Sequence, residues 1–187
     1  QTKISQKIAK FIIDFINENK IRVYNENTGK GLLRHILIKY GMKTDEVMCV
    51  LVVTNESFPK ENELKEKLIK EFPSIKTIVK NINKKNTNVI LGDKNIVIYG
   101  SGYITDKLGE YKFNISANSF YQINPVQTEK LYNLAIEGAN LSKDDTVFDL
   151  YCGIGTIGIF AAKYAKKVYG IEIVEEAIKD AKENAKL

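Results

Sequence analysis

A chain of 187 residues, 44% of them apolar and 27% charged, with ten Tyr, eight Phe and no Trp, is too apolar for a disordered polymer and long enough for one large or two small domains. No apolar run approaches the ~20 residues that span a bilayer, and the start Gln1-Thr2-Lys3-Ile4 is neither a signal peptide nor a natural Met start, so the chain is expected to be membrane-free and cut from something longer. Its two cysteines, Cys49 and Cys152, make a sparse framework for a secreted domain and point to a reducing, cytoplasmic setting, while the net charge of +5 is unevenly shared, with 20 basic and 13 acidic residues up to Lys112 and 8 and 10 from Phe113 onward.

Taken in chain order, Ile4, Ile8, Phe11, Ile12 and Phe15 recur at helical spacing and predict an amphipathic helix over 4–16. Two β-rich runs, 32–40 (LLRHILIKY) and 47–54 (VMCVLVVT), flank the polar, glycine-containing stretch 41–46 as the arms of a hairpin. Residues 61–72 read as a short charged helix stopped by Pro73, and 74–83, 95–99 and 111–116 as further strands. Residues 1–112 are therefore expected to form an α+β domain on an antiparallel sheet. Their basic excess suits a module that meets a polyanion, although such an excess is by itself more often a solvated lysine surface.

After Pro125 the pattern becomes helix 126–139, strand 146–151, helix 156–165, strand 167–173, helix 175–185. That alternation implies a parallel sheet with right-handed crossovers, the first part of a Rossmann-like α/β domain over 113–187. Only two strands are present, where a doubly wound sheet has about five to seven, so this second domain is expected to be incomplete.

The most informative segment is 147–158 (VFDLYCGIGTIG), an apolar strand running into a glycine-rich turn and a helix. Gly153, Gly155 and Gly158 fit GxGxxG, whose glycines allow positive φ and a close backbone approach to a nucleotide. Glu172 ends the next strand, about 20 residues on, where a carboxylate can accept from ribose hydroxyls. Asp149 adds a second carboxylate beside the turn. It would repel a dinucleotide pyrophosphate and favour the cationic groups of S-adenosylmethionine, or it caps the turn by accepting backbone N–H groups, which is compatible with the same ligand.

Residues 149–158 (DLYCGIGTIG), together with 119–132 (SFYQINPVQTEKLY) upstream and 170–178 (GIEIVEEAI) downstream, resemble the RumA/TrmA-type RNA uracil-5-methyltransferases. The runs 31–35 (GLLRH), 81–83 (NIN) and 87–92 (TNVILG) resemble the central domain of the same family. The resemblance implies a cytoplasmic enzyme that moves a methyl group from S-adenosylmethionine to C5 of a uridine, with 23S ribosomal RNA favoured by the central-domain likeness and transfer RNA as the alternative. It implies cofactor contacts from Gln122, Tyr151 and Thr156, and a ribose contact from Glu172. In that chemistry a cysteine thiolate adds to C6 of the uracil and a general base later removes the C5 proton. Both groups are expected beyond Leu187, and no catalytic residue or metal ligand is assigned within the chain.

Cys152 aligns with the family's motif cysteine, which is not the nucleophile, and Cys49 reads as core. The iron–sulfur cysteines of some members are not seen here. Arg34, Lys39, Lys80, Lys84 and Lys85 are candidates for RNA phosphate, and the lone His35 reads as structural. Two other readings are a non-catalytic RNA-binding module with a vestigial glycine turn, and an NAD-dependent oxidoreductase.

Overall fold

The computed structural model describes residues 2–187, which divide into two compact units. The first comprises the chain up to Gly41 and Asp45–Ile104, the second Met42–Thr44 and Thr105–Leu187.

In the first unit, α1 (Lys3–Glu18) begins at Thr2, whose hydroxyl accepts from the Ser5 N–H at 3.3 Å and satisfies one of the helix's free donors. Its apolar stripe buries Ile8, Ile12, Phe15 and Ile16. Four strands follow, β1 (Leu33–Tyr40), β2 (Val47–Val53), β3 (Ile75–Ile82) and β4 (Lys94–Tyr99), with α2 (Glu61–Glu71) between β2 and β3. They form one sheet in chain order, β1-β2-β3-β4.

The outer pairs β1/β2 and β3/β4 are antiparallel as expected, but β2 and β3 run parallel, in register from Met48 opposite Thr77 to Val53 opposite Ile82. The sheet is mixed rather than antiparallel. A parallel neighbour requires a crossover, and α2 supplies it. The composition of β2 agrees: VMCVLVV does not alternate, and all seven residues are buried, as in a central strand covered on both faces.

The core of this unit packs Ile8, Ile12, Phe15, Leu64 and Leu68 from the helices with Val47, Cys49, Leu51, Val53, Ile75 and Ile78 from the sheet. Each such side chain contributes about 1.5–3 kcal/mol through burial. Phe11 meets Phe72 edge-to-face at 5.5 Å.

Two residues expected to reach RNA phosphate are instead part of this scaffold. Lys80 is buried, its ammonium ion-paired to Glu61 and donating to the Glu56 carbonyl. Arg34, with a side chain only 1% exposed, lies over the Tyr24 ring at 4.4 Å and spans both carboxylate oxygens of Glu26 at 3.2 Å. Their charges are neutralised within the unit and are not offered to solvent.

The second unit contains β6 (Tyr111–Ser116), which pairs with β5 (Tyr103–Leu108). The sequence does not announce β5, because its buried face carries a carboxylate: Ile104, Asp106 and Leu108 are all buried, and the charge breaks the apolar alternation. Asp106 is satisfied by the backbone N–H groups of Met42, at 3.1 Å, and Lys43, at 2.9 Å. This hairpin keeps residues 105–112 with the strand that follows, so the division between units falls at Ile104/Thr105 where the sequence suggested 112/113.

The remaining elements are α3 (Pro125–Ala139), β7 (Thr146–Leu150), α4 (Thr156–Ala162), β8 (Lys167–Ile171) and α5 (Glu175–Asn184). The pair β7/β8 is parallel, from Thr146 opposite Lys167 to Leu150 opposite Ile171, with α4 as its crossover. A small aromatic core holds α3, α4 and the hairpin together: Phe160 lies 5.2 Å from Tyr111 and 5.4 Å from Tyr132, beside Leu108 and Phe113. The outward residues Phe148, Leu150, Tyr169 and Ile171 of the β7/β8 pair are exposed, Phe148 stacked on Tyr169 at 5.2 Å. Among the described residues no helix is long and apolar enough to cross a membrane.

Candidate functional site

At the end of β7 the chain reverses through left-handed backbone at Tyr151 (φ 65°), Gly153 (φ 55°) and Gly155 (φ 85°), and Gly155 is the N-cap of α4. Two backbone bonds shape the reversal: Cys152 N–H donates to the Ile171 carbonyl at 3.0 Å, and Gly155 N–H to the Cys152 carbonyl at 2.8 Å. Tyr151 is the one non-glycine residue of the three. Its backbone costs about 1–2 kcal/mol relative to an ordinary conformation, and its ring is 86% exposed, so no packing of the ring offsets that strain.

Two carboxylates hold the turn. Asp149 Oδ2 accepts from the Gly158 N–H at 2.9 Å, tying the strand end to the first turn of α4. A Cβ at position 158 would stand 2.9 Å from that oxygen, so glycine is what lets the carboxylate reach the helix backbone. Partial burial pushes the Asp149 carboxyl above the ordinary aspartate range, opposed by the Gly158 N–H. Of the two roles open to Asp149 in the sequence, the capping one is present.

Glu172, just beyond β8, accepts three backbone N–H groups: Val174 at 3.0 Å and Ile173 at 2.8 Å on one oxygen, Gly153 at 3.1 Å on the other. The Val174 N–H most of all, then those of Gly153 and Ile173, keeps this carboxyl below the usual glutamate range, and partial desolvation opposes them. Glu172 is an anion at neutral pH.

The residues fit an adenosine-bearing cofactor. A Cβ built on Gly153 meets nothing within 4 Å, so the turn presents open space there. Beside it, Glu172 has about four lone-pair directions and uses three, which leaves one for a ribose hydroxyl and not two.

Asp149, Gly153, Gly155 and Glu172 thus come together in one hydrogen-bonded turn. Thr156 follows it, its hydroxyl 2.9 Å from the Tyr132 hydroxyl. Gln122 stands on a separate exposed loop, two residues before Asn124, which caps α3 by accepting from the Gln127 N–H at 3.2 Å.

Neither cysteine is prepared for nucleophilic attack. Burial pushes the Cys49 thiol up to about 12. Cys152 is buried in the turn, and desolvation first, then the nearby charges of Asp149 and Glu172, raise its thiol too.

Sequence reasoning missed the face of α5 that supports the turn. The buried Asn184 side chain accepts from the Asn114 N–H at 2.8 Å and donates to the carbonyls of Asn114 at 3.3 Å and Ile154 at 3.2 Å, joining β6 to the glycine turn. One helical turn earlier, Asp180 Oδ2 accepts from the hydroxyls of Ser116 at 2.7 Å and Ser119 at 2.6 Å, fixing the start of the loop that carries Gln122. The only trace of this in the sequence is the i, i+4 spacing of two small polar residues on a charged helix.

Comparison with known proteins places the chain in a family. An uncharacterized RNA methyltransferase of Halalkalibacterium halodurans is 49% identical over all 187 residues, and another of Clostridium acetobutylicum is 50% identical over 186. The chain spans about 41% of the length of the first of these relatives and 40% of the second. The crystal structure of the Pyrococcus abyssi tRNA (uracil-54, C5)-methyltransferase in complex with S-adenosyl-L-homocysteine superimposes with a TM-score of 0.79 at 28% identity, over 98% of this chain and 44% of that one. Residues 32–187 match the description of the tRNA (uracil-5-)-methyltransferases, and the chain belongs to that family.

Proposed function

We propose that these residues supply the cofactor turn and a basic RNA-facing module of a cytoplasmic enzyme that transfers a methyl group from S-adenosylmethionine to C5 of a uridine in RNA. The observation that carries the reading is the Glu172–Gly153 bond beside the open face of Gly153: an anionic acceptor and an accessible glycine backbone at one turn. Bound there, S-adenosylmethionine supplies the methyl group. Glu172 takes a ribose hydroxyl through its remaining lone pair, Asp149 keeps the strand and helix in place through Gly158, and the exposed Tyr151 ring, the Thr156 hydroxyl and Gln122 contact the cofactor. A dinucleotide is disfavoured, because its pyrophosphate would meet the Asp149 carboxylate beside the turn.

The chain alone is not expected to turn over. Both of its thiols are held protonated, so the nucleophile that activates C5 belongs to another part of the protein.

The central-domain motifs around Arg34, Asn81 and Thr87 favour 23S ribosomal RNA as the substrate. The family description and the Pyrococcus abyssi neighbour, both named for tRNA, favour transfer RNA as a second reading.

Calorimetric titration with S-adenosyl-L-homocysteine tests the cofactor reading. One-site binding is expected, lost in Glu172→Ala and unaffected by NAD. Absence of binding, or equal binding by Glu172→Ala, overturns it. A tritium-transfer assay with ribosomal and transfer RNA then separates the substrates.

A further inference from the structure

The first unit holds one exposed loop with far more support than a surface connection needs. After β3 the residues 84–90 (KKNTNVI) are all exposed, yet three buried polar side chains fix the segment from below. Asn83 donates to the carbonyls of Val89 at 2.7 Å and Ile90 at 3.0 Å, and accepts from the Lys85 N–H at 3.0 Å. Asn81 closes on both backbone groups of Gly92, donating to its carbonyl at 2.9 Å and accepting from its N–H at 2.6 Å. The guanidinium of Arg34 reaches the carbonyls of Lys85 at 2.6 Å and Asn83 at 3.4 Å. Gly92 seats the far end of the loop so closely that a Cβ there would fall 1.9 Å from the Ile82 carbonyl oxygen.

What this framework presents is chemically uniform at its start. Lys84, Lys85, Asn86, Thr87 and Asn88 are five successive exposed residues whose side chains all donate hydrogen bonds, and none is acidic. Residues 76–94 contain five lysines and a single acidic residue, Asp93. Of those lysines, Lys80 is consumed by Glu61, whereas Lys85 is engaged only by Asp93 at 2.7 Å in a solvent-exposed pair that a phosphate can displace at little cost. A loop ordered before its ligand arrives forfeits little entropy on binding, and loops carried on a rigid scaffold are where recognition residues concentrate.

We propose that the 84–90 loop is an RNA-contacting loop, which takes phosphates through Lys84 and Lys85 and unpaired base edges or 2′-hydroxyls through Asn86, Thr87 and Asn88. The proposal rests on the RNA-methyltransferase reading and adds the surface by which the first unit meets its substrate. Arg34, Asn81 and Asn83 act as positioning residues behind it. Single-stranded or looped RNA is the form the chemistry fits, since its base edges and 2′-hydroxyls are accessible to short polar side chains.

The test is fluorescence anisotropy of the full chain with a labelled, uridine-containing RNA hairpin, over a salt series. Lys84→Ala/Lys85→Ala is expected to weaken binding about tenfold at low salt and to make the slope of log K against log salt shallower by about 1.4, for two lost phosphate contacts on unpaired RNA. Asn83→Ala leaves both lysines in place, so affinity is expected to fall about fivefold through lost order while the slope stays as in the parent. The double variant keeps every backbone bond of Lys85 and therefore decides the matter even where Asn83→Ala does not fold. Affinity and slope unchanged in the double variant overturn the proposal. Parallel titration with S-adenosyl-L-homocysteine keeps the two readings apart: cofactor binding intact with RNA binding indifferent to the lysines sinks the loop alone, whereas loss of cofactor binding in the unsubstituted chain sinks the enzyme reading.

Discussion

The sheets of the two units are covered to different degrees, and the difference separates what stabilises the chain from what makes it useful. In the first unit β2 is buried along its whole length, and α1 and α2 contribute Ile8, Ile12, Phe15, Leu64 and Leu68 to a core shared with three strands. In the second unit Phe148, Leu150, Tyr169 and Ile171 remain exposed, and the glycine turn depends on single hydrogen bonds to Asp149, Glu172 and Asn184. Apolar burial is additive and insensitive to direction, so it gives the first unit a firm base from which Asn81, Asn83 and Arg34 fix the 84–90 loop by hydrogen bonds. Hydrogen bonds to a few carboxylates are directional, so they can set φ, orientation and charge at a ligand site with little apolar area.

The contrast is broken most directly through the first core. Leu68→Ala removes a fully buried side chain and is expected to cost about 3 kcal/mol in urea unfolding of the first unit. S-adenosyl-L-homocysteine affinity measured on the folded protein should stay within twofold of the parent. A large loss of affinity with intact secondary structure would mean that the turn draws on that core.

Asn184→Ala is a smaller lesion with the opposite profile. It leaves the Asn114 N–H and the carbonyls of Asn114 and Ile154 without their partner, at a cost of about 1–3 kcal/mol. Amide exchange at Gly155 and Ile159, whose bonds close the turn and begin α4, is expected to accelerate while β2 remains protected. Unchanged exchange at those amides would show that α5 does not support the turn.

What could be read beforehand follows the same division. The helical spacing of Ile8, Ile12 and Phe15, the hairpin after Tyr40 and the glycine turn at Gly153 are local signals, and the structure carries each of them. The parallel pairing of β2 with β3 is not local: alternation says which face is buried, not which way a strand runs. The unbroken apolar run of β2 was nevertheless a hint of it.

Arg34 and Lys80 looked like phosphate ligands because nothing nearby in sequence neutralises them; their partners Glu26, Tyr24 and Glu61 are brought in by the fold. The strand β5 was hidden by Asp106, a carboxylate on a buried face. Asn184 and Asp180 were hidden for a related reason, since a polar residue whose partners are backbone groups, as for Asn184, or hydroxyls, as for Asp180, about 30 to 70 positions away leaves no spacing to detect.

The subtlest expected effect concerns protons at the turn. Glu172 is held below the ordinary glutamate range by the N–H groups of Val174, Gly153 and Ile173, so the folded second unit favours its charged form. A carboxyl lowered in the folded state adds stability that is present above its unfolded value, about 4.3, and is lost as pH falls through the folded value. Asp149 runs the other way: burial raises its carboxyl, so its contribution is present in acid and lost as pH rises through the folded value. The turn is therefore expected to loosen on the acid side through Glu172 alone. The amide proton shifts of Gly153, Ile173 and Val174 should titrate together in an NMR pH series, with a midpoint below that of an unperturbed glutamate, and Glu172→Gln should abolish the transition at all three. A shared midpoint at or above about 4.3 would mean that the carboxylate is not gripped by those amides in solution. The ribose acceptor would then have both oxygens free, and the turn would owe its shape to Asp149 and Asn184 instead.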